Sequence, residues 1–351
     1  MTGPATAENL RIATYAAAFS RSGPGLLLRD ILAGDDEQIV AATAVIAEIK
    51  PDVLLLTDID YDLGMAALTA LTAKLGDQGI DYPYIFSLRP NSGQFTGLDL
   101  DNNGQIGEAR DAMGYGRFAG DGGLAVLSRW PINMTNVRDF SDLLWRDLPG
   151  ATLPMVDGQP FPSAAVQDQQ RLSSTAHWLV PVQTGDGPPL TLLVWSATPP
   201  VFDGPEDQNG LRNRDELRLW QAVLDGTYGP PPEDFVLLGN ANLDPADGDG
   251  FRQAMAQLLA DPRMQDPAPS SAGARTAADP GQTGDPGLDT TDWPDGAPGN
   301  LRVSYVLPAA DWTVTGAGVF WPAPDDPKVN LLGRDGLAAG PHRLVWVDLA
   351  R

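Results

Sequence analysis

Short apolar runs of strand length alternate with helix-length segments at the start of the chain, and this alternation limits the possible folds most. Residues 10–15 and 53–56 have the pattern of strands, whereas residues 36–49 and 65–75 carry apolar side chains at helical spacing. Pro51 follows the first predicted helix, and proline is a strong helix terminator. The order β-α-β-α predicts an α/β fold in which helices cover a sheet.

Most of the later segments predict strands. Strands are expected at residues 122–128, 132–137, 173–182, 190–195, 235–238, 301–307, 312–320 and 344–349, and helices at 207–224 and 251–259. A segment rich in Pro, Gly, Ala and Asp, residues 261–299, predicts a long surface excursion or a partly disordered loop. Because no change in composition marks a boundary, we predict one domain over residues 10–351 with two mixed sheets packed face to face and helices outside.

Composition excludes several kinds of site. The chain has no cysteine, which excludes disulfides, thiolate metal sites and thiol nucleophiles, and its two histidines, His177 and His342, cannot build a multi-histidine metal site. The formal charge of −23 makes long nucleic acid and anionic membranes unfavourable partners. No apolar stretch approaches the roughly 20 residues that a membrane span needs.

The N-terminus bears on localisation. Residues 1–9 lack a complete signal peptide, but Ala5, Thr6 and Ala7 have the small-x-small pattern of a cleavage site. A trimmed export signal would place the protein in the periplasm or outside the cell. The alternative is an ordinary disordered N-terminus, which leaves a cytoplasmic location open.

Five segments, taken in order, resemble the endonuclease/exonuclease/phosphatase superfamily. They are LRIATYAAAFSR from residue 10, PDVLLLTDIDYD from residue 51, GGLAVLSRWPI from residue 122, FVLLGNANLDP from residue 235, and the ending LRVSYVLP with PHRLVWVDL. A sixth, SATPPVFDGPEDQNGLRNRDE from residue 196, resembles a bacterial branch. The resemblance implies a four-layer α/β sandwich, with two mixed β-sheets packed face to face and flanked by helices. It also implies metal-assisted hydrolysis of phosphoesters.

The same resemblance implies where the catalytic groups belong, and most of these positions are substituted. Five positions have lost the functional group of the superfamily: Ala16, Ala197, Asn240, Ser304 and Pro341. At the position of the metal-binding Glu stands Asp58, which is one methylene shorter. The phosphate-contacting Asn is kept as Asn242, the terminal His is kept as His342, and Tyr115 corresponds to the Tyr of the superfamily.

Two hypotheses follow for this site. We favour a degenerate site of low or no activity whose cleft takes a small phosphoester or another ligand, because catalytic groups act as a unit and losing one removes most of the rate. The alternative is a rewired enzyme in which Asp58, Asp60 and Asp62 bind Mg²⁺ or Mn²⁺ and His342 is the acid or base. Structural roles are also open: Asn242 in a turn, and His342 at the start of the last strand.

A separate constellation lies within residues 94–121. The run DLDNNGQI starts at residue 99 and matches the first half of a calcium-binding loop, with Gly at its sixth place. The predicted ligands are Asp99, Asp101, Asn103, the carbonyl of Gln105, and Asp111, which would close the site because Arg110 occupies the usual Glu position. We predict structural Ca²⁺ here that orders an inserted loop; the alternative is a surface turn.

The acidic and basic residues of 201–216 are placed by the resemblance at the mouth of the cleft. The local pattern instead predicts a helix N-terminal turn at Pro205, Glu206 and Asp207, where acids complement the helix dipole. We favour this structural interpretation for most of the segment.

Overall fold

The computed structural model describes residues 9–185, 187–296 and 298–350, so the predicted cleavage motif Ala5, Thr6 and Ala7 lies outside the described residues. The strands are β1 Leu10–Phe19, β2 Val53–Ile59, β3 Tyr84–Phe86, β4 Gly123–Ser128, β5 Arg138–Asp139, β6 Met155–Val156, β7 Gln159–Pro160, β8 Ala176–Val182, β9 Leu190–Ser196, β10 Phe235–Asn240, β11 Ser304–Pro308, β12 Thr313–Val319 and β13 Val345–Ala350. The α-helices are α1 Leu26–Ala33, α2 Glu37–Ile49, α3 Ala66–Gly76, α4 Ala164–Gln167, α5 Gln208–Leu224, α6 Arg252–Leu259 and α7 Ala272–Thr276.

The larger strands form two mixed sheets. The first sheet has the order β12-β13-β1-β2-β4-β3 and the second has the order β11-β10-β9-β8-β5, while β6 and β7 form a separate hairpin. Each sheet contains one parallel pair, β1 with β2 and β9 with β10, between antiparallel neighbours. The sheets pack face to face, with β1 against β10 and β11, and β4 against β8.

The alternation of side chains along β2 explains the layers. Val53 and Leu55 belong to the core between the two sheets, whereas Leu54 and Leu56 pack on the other face, in a cluster with residues of α1, α2 and α3. All four side chains are buried. Helix α5 covers the outer face of the second sheet, where Leu217 and Trp220 join its core. The predicted α/β sandwich of two mixed sheets flanked by helices is therefore confirmed.

Most helices and strands begin and end within a few residues of the bounds predicted from the sequence, and the exceptions have local causes. The strand expected at residues 132–137 is wrong: after Pro131 the chain makes a single bridge from Ile132 to Val182 and a 3-10 turn, Met134–Asn136, before the short strand β5. Helix α1 was not predicted; it is short and lies between Gly25 and Gly34, both at positive φ. The segment 261–299 is not a surface loop throughout, because it contains α7 and buries Asp289, Thr290 and Thr291.

In the described ranges, none of the helices combines the length and the hydrophobicity that crossing a bilayer requires.

Candidate functional site

A cleft of about 680 Å³ opens where β1, β2, β9 and β10 end. It is bounded by the carboxyl ends of the two parallel strand pairs, an edge where α/β folds commonly place ligands. Seven of the positions singled out by the sequence line it together: Ala16, Asp58, Tyr115, Ala197, Asn240, Asn242 and His342. Ser304 pairs with Asn240 across β10 and β11 and is buried behind the cleft.

Asp58 lies at a bulge near the end of β2. Its φ of 58° is in the left-handed region, and the register with β4 shifts between Thr57 and Ile59. Burial raises the pKa of Asp58 to about 6; a hydrogen bond with Ser20 opposes this rise and the charge of Asp121 adds to it.

The neighbouring acids serve the backbone. Asp60 accepts the N–H of Arg21 at 3.0 Å and of Gly122 at 3.3 Å, and burial raises its pKa to about 7. Asp62 accepts the N–H groups of Ala66 and Ala67 at 2.7 and 2.9 Å, at the start of α3. Their oxygens are thus engaged in holding the strand end and the helix start.

The two asparagines form a turn at the end of β10. Asn240 Oδ1 accepts the backbone N–H of Asn242 at 3.1 Å, and Asn242 has a φ of 49°. The side-chain amide of Asn242 donates to the carbonyl of Ala197 at 2.7 Å. This contact ties the end of β10 to the segment after β9 and uses one of the donors that a phosphate group would need.

His342 lies at the inner end of the cleft, next to Trp293. The two rings meet edge to face with centroids 5.6 Å apart. Burial and the charge of Arg343 together lower the pKa of His342 to about 4, so the imidazole is neutral at pH 7. Its Nδ1 is buried without a hydrogen-bond partner among the described residues. Ser304 and Pro341, at the positions where the resemblance expects acidic groups, leave this imidazole without a carboxylate to orient it.

A buried ionic network on α5 positions the cleft walls. Arg212 donates to the backbone carbonyls of residues 113, 171, 172 and 173 at 2.7–3.1 Å. Glu216, one turn later, accepts the N–H and hydroxyl of Ser174 at 2.7 and 2.8 Å and the N–H of Thr198 at 2.7 Å. Burial raises the pKa of Glu216 to about 7, which the charge of Arg212 opposes. Both Ser174 and Thr198 line the cleft.

Two further polar residues of α5 are buried. Asn213 donates to the carbonyls of Thr198 and Ala241 at 2.7 and 2.8 Å. Asp215 accepts from Trp145 Nε1 at 2.9 Å and binds the guanidinium groups of Arg214 and Arg218. Sequence reasoning missed these roles. The sequence offers little signal for them: Asn213 is at i,i+4 spacing from Leu217 and Glu216 from Trp220, but this spacing does not show that the polar side chains are buried.

The predicted calcium loop brings three acidic side chains together. One oxygen from each of Asp99, Asp101 and Asp111 lies within 4.8 Å of the others. Asp111 is buried and also accepts the backbone N–H groups of Leu100, Gly107 and Glu108. Of the other predicted ligands, Asn103 uses its Oδ1 to accept the backbone N–H of Gln105 at 2.7 Å.

The loop also reaches the cleft. Isolated β-bridges pair Ser92 with Gly114 and Phe95 with Ala112. The chain therefore leaves for the acidic turn and comes back from it side by side, and Tyr115 follows directly. Gly114 packs directly on Ser174, where an added Cβ would lie 1.7 Å from the carbonyl oxygen. The acidic turn and the cleft wall are therefore parts of one folded segment.

Comparisons with known proteins agree on one family. A model described as "Endonuclease/Exonuclease/phosphatase family" matches residues 28–340. An endonuclease/exonuclease/phosphatase from Beutenbergia cavernae is 15% identical, with a TM-score of 0.52 and coverage of 97% of this chain and 71% of that chain. Family proteins from Bacteroides thetaiotaomicron (11%, 0.52, coverage 99% and 99%) and Leptotrichia buccalis (13%, 0.51, 97% and 99%) are similar. At these identities the likeness shows the fold alone. No curated protein sequence matched this chain.

Proposed function

The chain belongs to the endonuclease/exonuclease/phosphatase family, and from this premise we propose that its cleft binds a small ligand without the usual metal-dependent hydrolysis of phosphoesters. The observation that carries the proposal is the inner surface of the cleft. Where the family resemblance expects an amide, an imidazole and a carboxylate, the cleft presents Ala16, Ala197 and the neutral amide of Asn240. None of these three side chains can act as a base at neutral pH.

A divalent cation does not fit the family position in the cleft. Ala16 offers no side-chain oxygen, and neither Asp60 nor Asp62 is among the described residues that line the cleft. Asp58 is the one carboxylate kept at a metal position of the family, and a pKa of about 6 leaves it mostly ionised at pH 7. Among the described residues, the three acidic groups that lie close enough to share one cation are Asp99, Asp101 and Asp111. They belong to the loop and not to the cleft. Hydrolysis through a cleft metal is therefore not part of the proposed function.

The state of His342 supports the same conclusion. A general acid near pH 7 needs a pKa close to that pH, whereas burial lowers the pKa of His342 to about 4. A carboxylate neighbour would raise this pKa and orient the ring, and Ser304 and Pro341 provide none. His342 therefore contributes a neutral polar ring to a binding site. The charge of −23 disfavours long nucleic acid as an occupant.

We also assign structural Ca²⁺ to the loop 94–121. Asp99, Asp101 and Asp111 supply hard oxygen donors, and Gly104 has the positive φ of 84° that the turn at the sixth place requires. The fully buried Asp111 carboxylate lies beside two other acids, an arrangement that a divalent cation would stabilise. The ion would order the segment that carries Tyr115 and would take no part in chemistry.

Hydrolysis of bis(4-nitrophenyl) phosphate and 4-nitrophenyl phosphate tests the proposed function. Wild type and His342→Ala are compared in Mg²⁺, Mn²⁺, Ca²⁺ and chelator, beside a family member that keeps every motif residue. We expect no metal-dependent turnover above that of the variant. Turnover that needs metal and disappears in His342→Ala would overturn the proposal.

That outcome would instead support the second candidate function, a rewired phosphoesterase acting on small phosphoesters with Mg²⁺ or Mn²⁺. One observation favours it: Asp58, Asn242 and His342 line the same cleft. The positions of Asp60 and Asp62 weigh against it, because neither residue lines the cleft and a rewired metal site needs several oxygen donors.

A further inference from the structure

The cleft carries negative charge and, among the described residues that line it, no Lys or Arg. Asp58 lines it inside and the exposed Asp249 lines it further along, whereas Asp244 is buried and accepts backbone N–H groups, and His342 is neutral. In the family chemistry a metal ion offsets the charge of a phosphate. Without that ion, this cleft repels anions and attracts cations, and the net charge of −23 adds to the attraction.

Aromatic side chains stand along the same opening. Trp293 is half-buried against His342, whereas Tyr115 and Phe202 are 64% and 76% exposed. Aromatic faces attract organic cations through the ring quadrupole, and Trp is the strongest of the three types. A cleft lined by acids and aromatic rings has the chemistry that recognises amines and quaternary ammonium groups.

Phe202 is held in an unfavourable conformation. Its φ of 74° lies in the left-handed region, which bulky residues rarely adopt, and its ring gains little burial in return. Backbone strain of this kind clusters at ligand-binding sites. The residue separates the cleft from a second depression of about 450 Å³, lined also by Asp203, Asp207, Asp249 and Phe251. The acidic and aromatic character thus continues across Phe202.

We propose that the cleft binds an organic cation with an aromatic or apolar body, its charge near Asp58 and the acidic mouth and its body against Trp293 and Phe202. A neutral apolar ligand would leave the acids unexplained, and a phosphoester would meet negative charge without a balancing cation. This inference rests on the proposed function, because a metal ion in the cleft would compete for Asp58.

Three probes that share a benzyl body and differ in head group test the inference: benzyltrimethylammonium, benzyl alcohol and benzyl phosphate. Isothermal titration calorimetry is run on the full chain in the presence of Ca²⁺. We expect the ammonium probe to bind at least tenfold more tightly than the alcohol, and the phosphate to bind least. Equal affinity of ammonium and alcohol, tighter binding of the phosphate, or no binding of any probe would each overturn the inference.

Two variants locate the site. Asp58→Asn and Phe202→Ala should each weaken the ammonium probe at least fivefold, whereas Asp311→Asn and Phe95→Ala, outside the cleft, should leave it unchanged. Because Phe202 is largely exposed, its truncation leaves the core intact and melting temperatures verify folding. Unchanged binding in both cleft variants would overturn the inference. Metal-dependent hydrolysis in the separate assay would refute the proposed function, whereas absent hydrolysis without cation preference would refute only this inference.

Discussion

Glu216 Oε2 accepts the backbone N–H of Thr198 at 2.7 Å, so a carboxylate fully buried on α5 positions the wall of the cleft. Through its other oxygen the same side chain holds Ser174 on the opposite segment. The cleft therefore takes its shape from a network that contains none of the substituted family positions. Under the proposed function, this network keeps the cleft walls in place for a ligand.

Replacing Glu216 by Gln should lower the free energy of unfolding by about 3 kcal/mol, the cost of leaving buried partners without their carboxylate. The amide cannot accept all three hydrogen bonds, and Arg212 loses its nearby countercharge. Urea unfolding at pH 7.5 measures the change. Glu233→Gln, at an exposed position, is the matched control; an equally small loss in both variants would contradict the prediction.

Calcium should raise the melting temperature, and chelation should lower it. At a free Ca²⁺ concentration one hundred times the Kd, the stabilisation is about 2.7 kcal/mol. Asp111→Asn should abolish the response, because Asp111 is one of the three clustered carboxylates, whereas Asp311→Asn should keep it. A melting curve that is the same with calcium and with chelator would rule out the ion.

Restoring one acidic group should not restore hydrolysis. Asn240→Asp returns the carboxylate expected from the family resemblance, but Ala16, Ala197, Ser304 and Pro341 remain, and catalytic groups act as a unit. The nitrophenyl phosphodiester assay in Mg²⁺ and Mn²⁺ should give the same rate for this variant and wild type. A metal-dependent rise of a hundredfold or more would mean that the cleft is one substitution from activity.

Acid should destabilise the protein in part through His177. Burial lowers the pKa of this fully buried imidazole from its ordinary value of 6.5 to about 3. Between these pH values the unfolded chain binds a proton that the native protein does not, so stability falls as the pH falls from 6.5 towards 3. His177→Asn keeps a partner for the hydroxyl of Ser173, which contacts Nδ1 at 2.7 Å.

The variant should be less stable than wild type at pH 7.5, because the ring also packs on Trp220. That difference should shrink as the pH is lowered to 5, as measured by urea unfolding at several pH values. Asp311→Asn, at an exposed position, serves as the control. A difference that stays constant with pH would contradict the assigned pKa.

Local sequence patterns predicted most helices and strands, because these elements depend mainly on residues that are neighbours in sequence. The helical spacing of Ile39, Ala42 and Ile46 marks the buried face of α2, and Asp36 caps it by accepting the N–H of Ile39 at 2.9 Å. The pattern failed at residues 132–137, where apolar residues alternate but Pro131 and Asn133 favour a turn. It also failed for α1, whose eight residues are too few to show a clear period.

The order of the motif segments along the chain was enough to predict the sandwich fold and which residues would meet, because that order follows the strands whose ends form the cleft. Only the tertiary structure decided which charged side chains are buried and what net charge the residues lining the cleft have. Arg212 and Glu216 have the local pattern of a solvated helix, and their burial depends on partners about 40 residues and more away. The burial of a charge is set by such distant hydrogen bonds, and no local period encodes them.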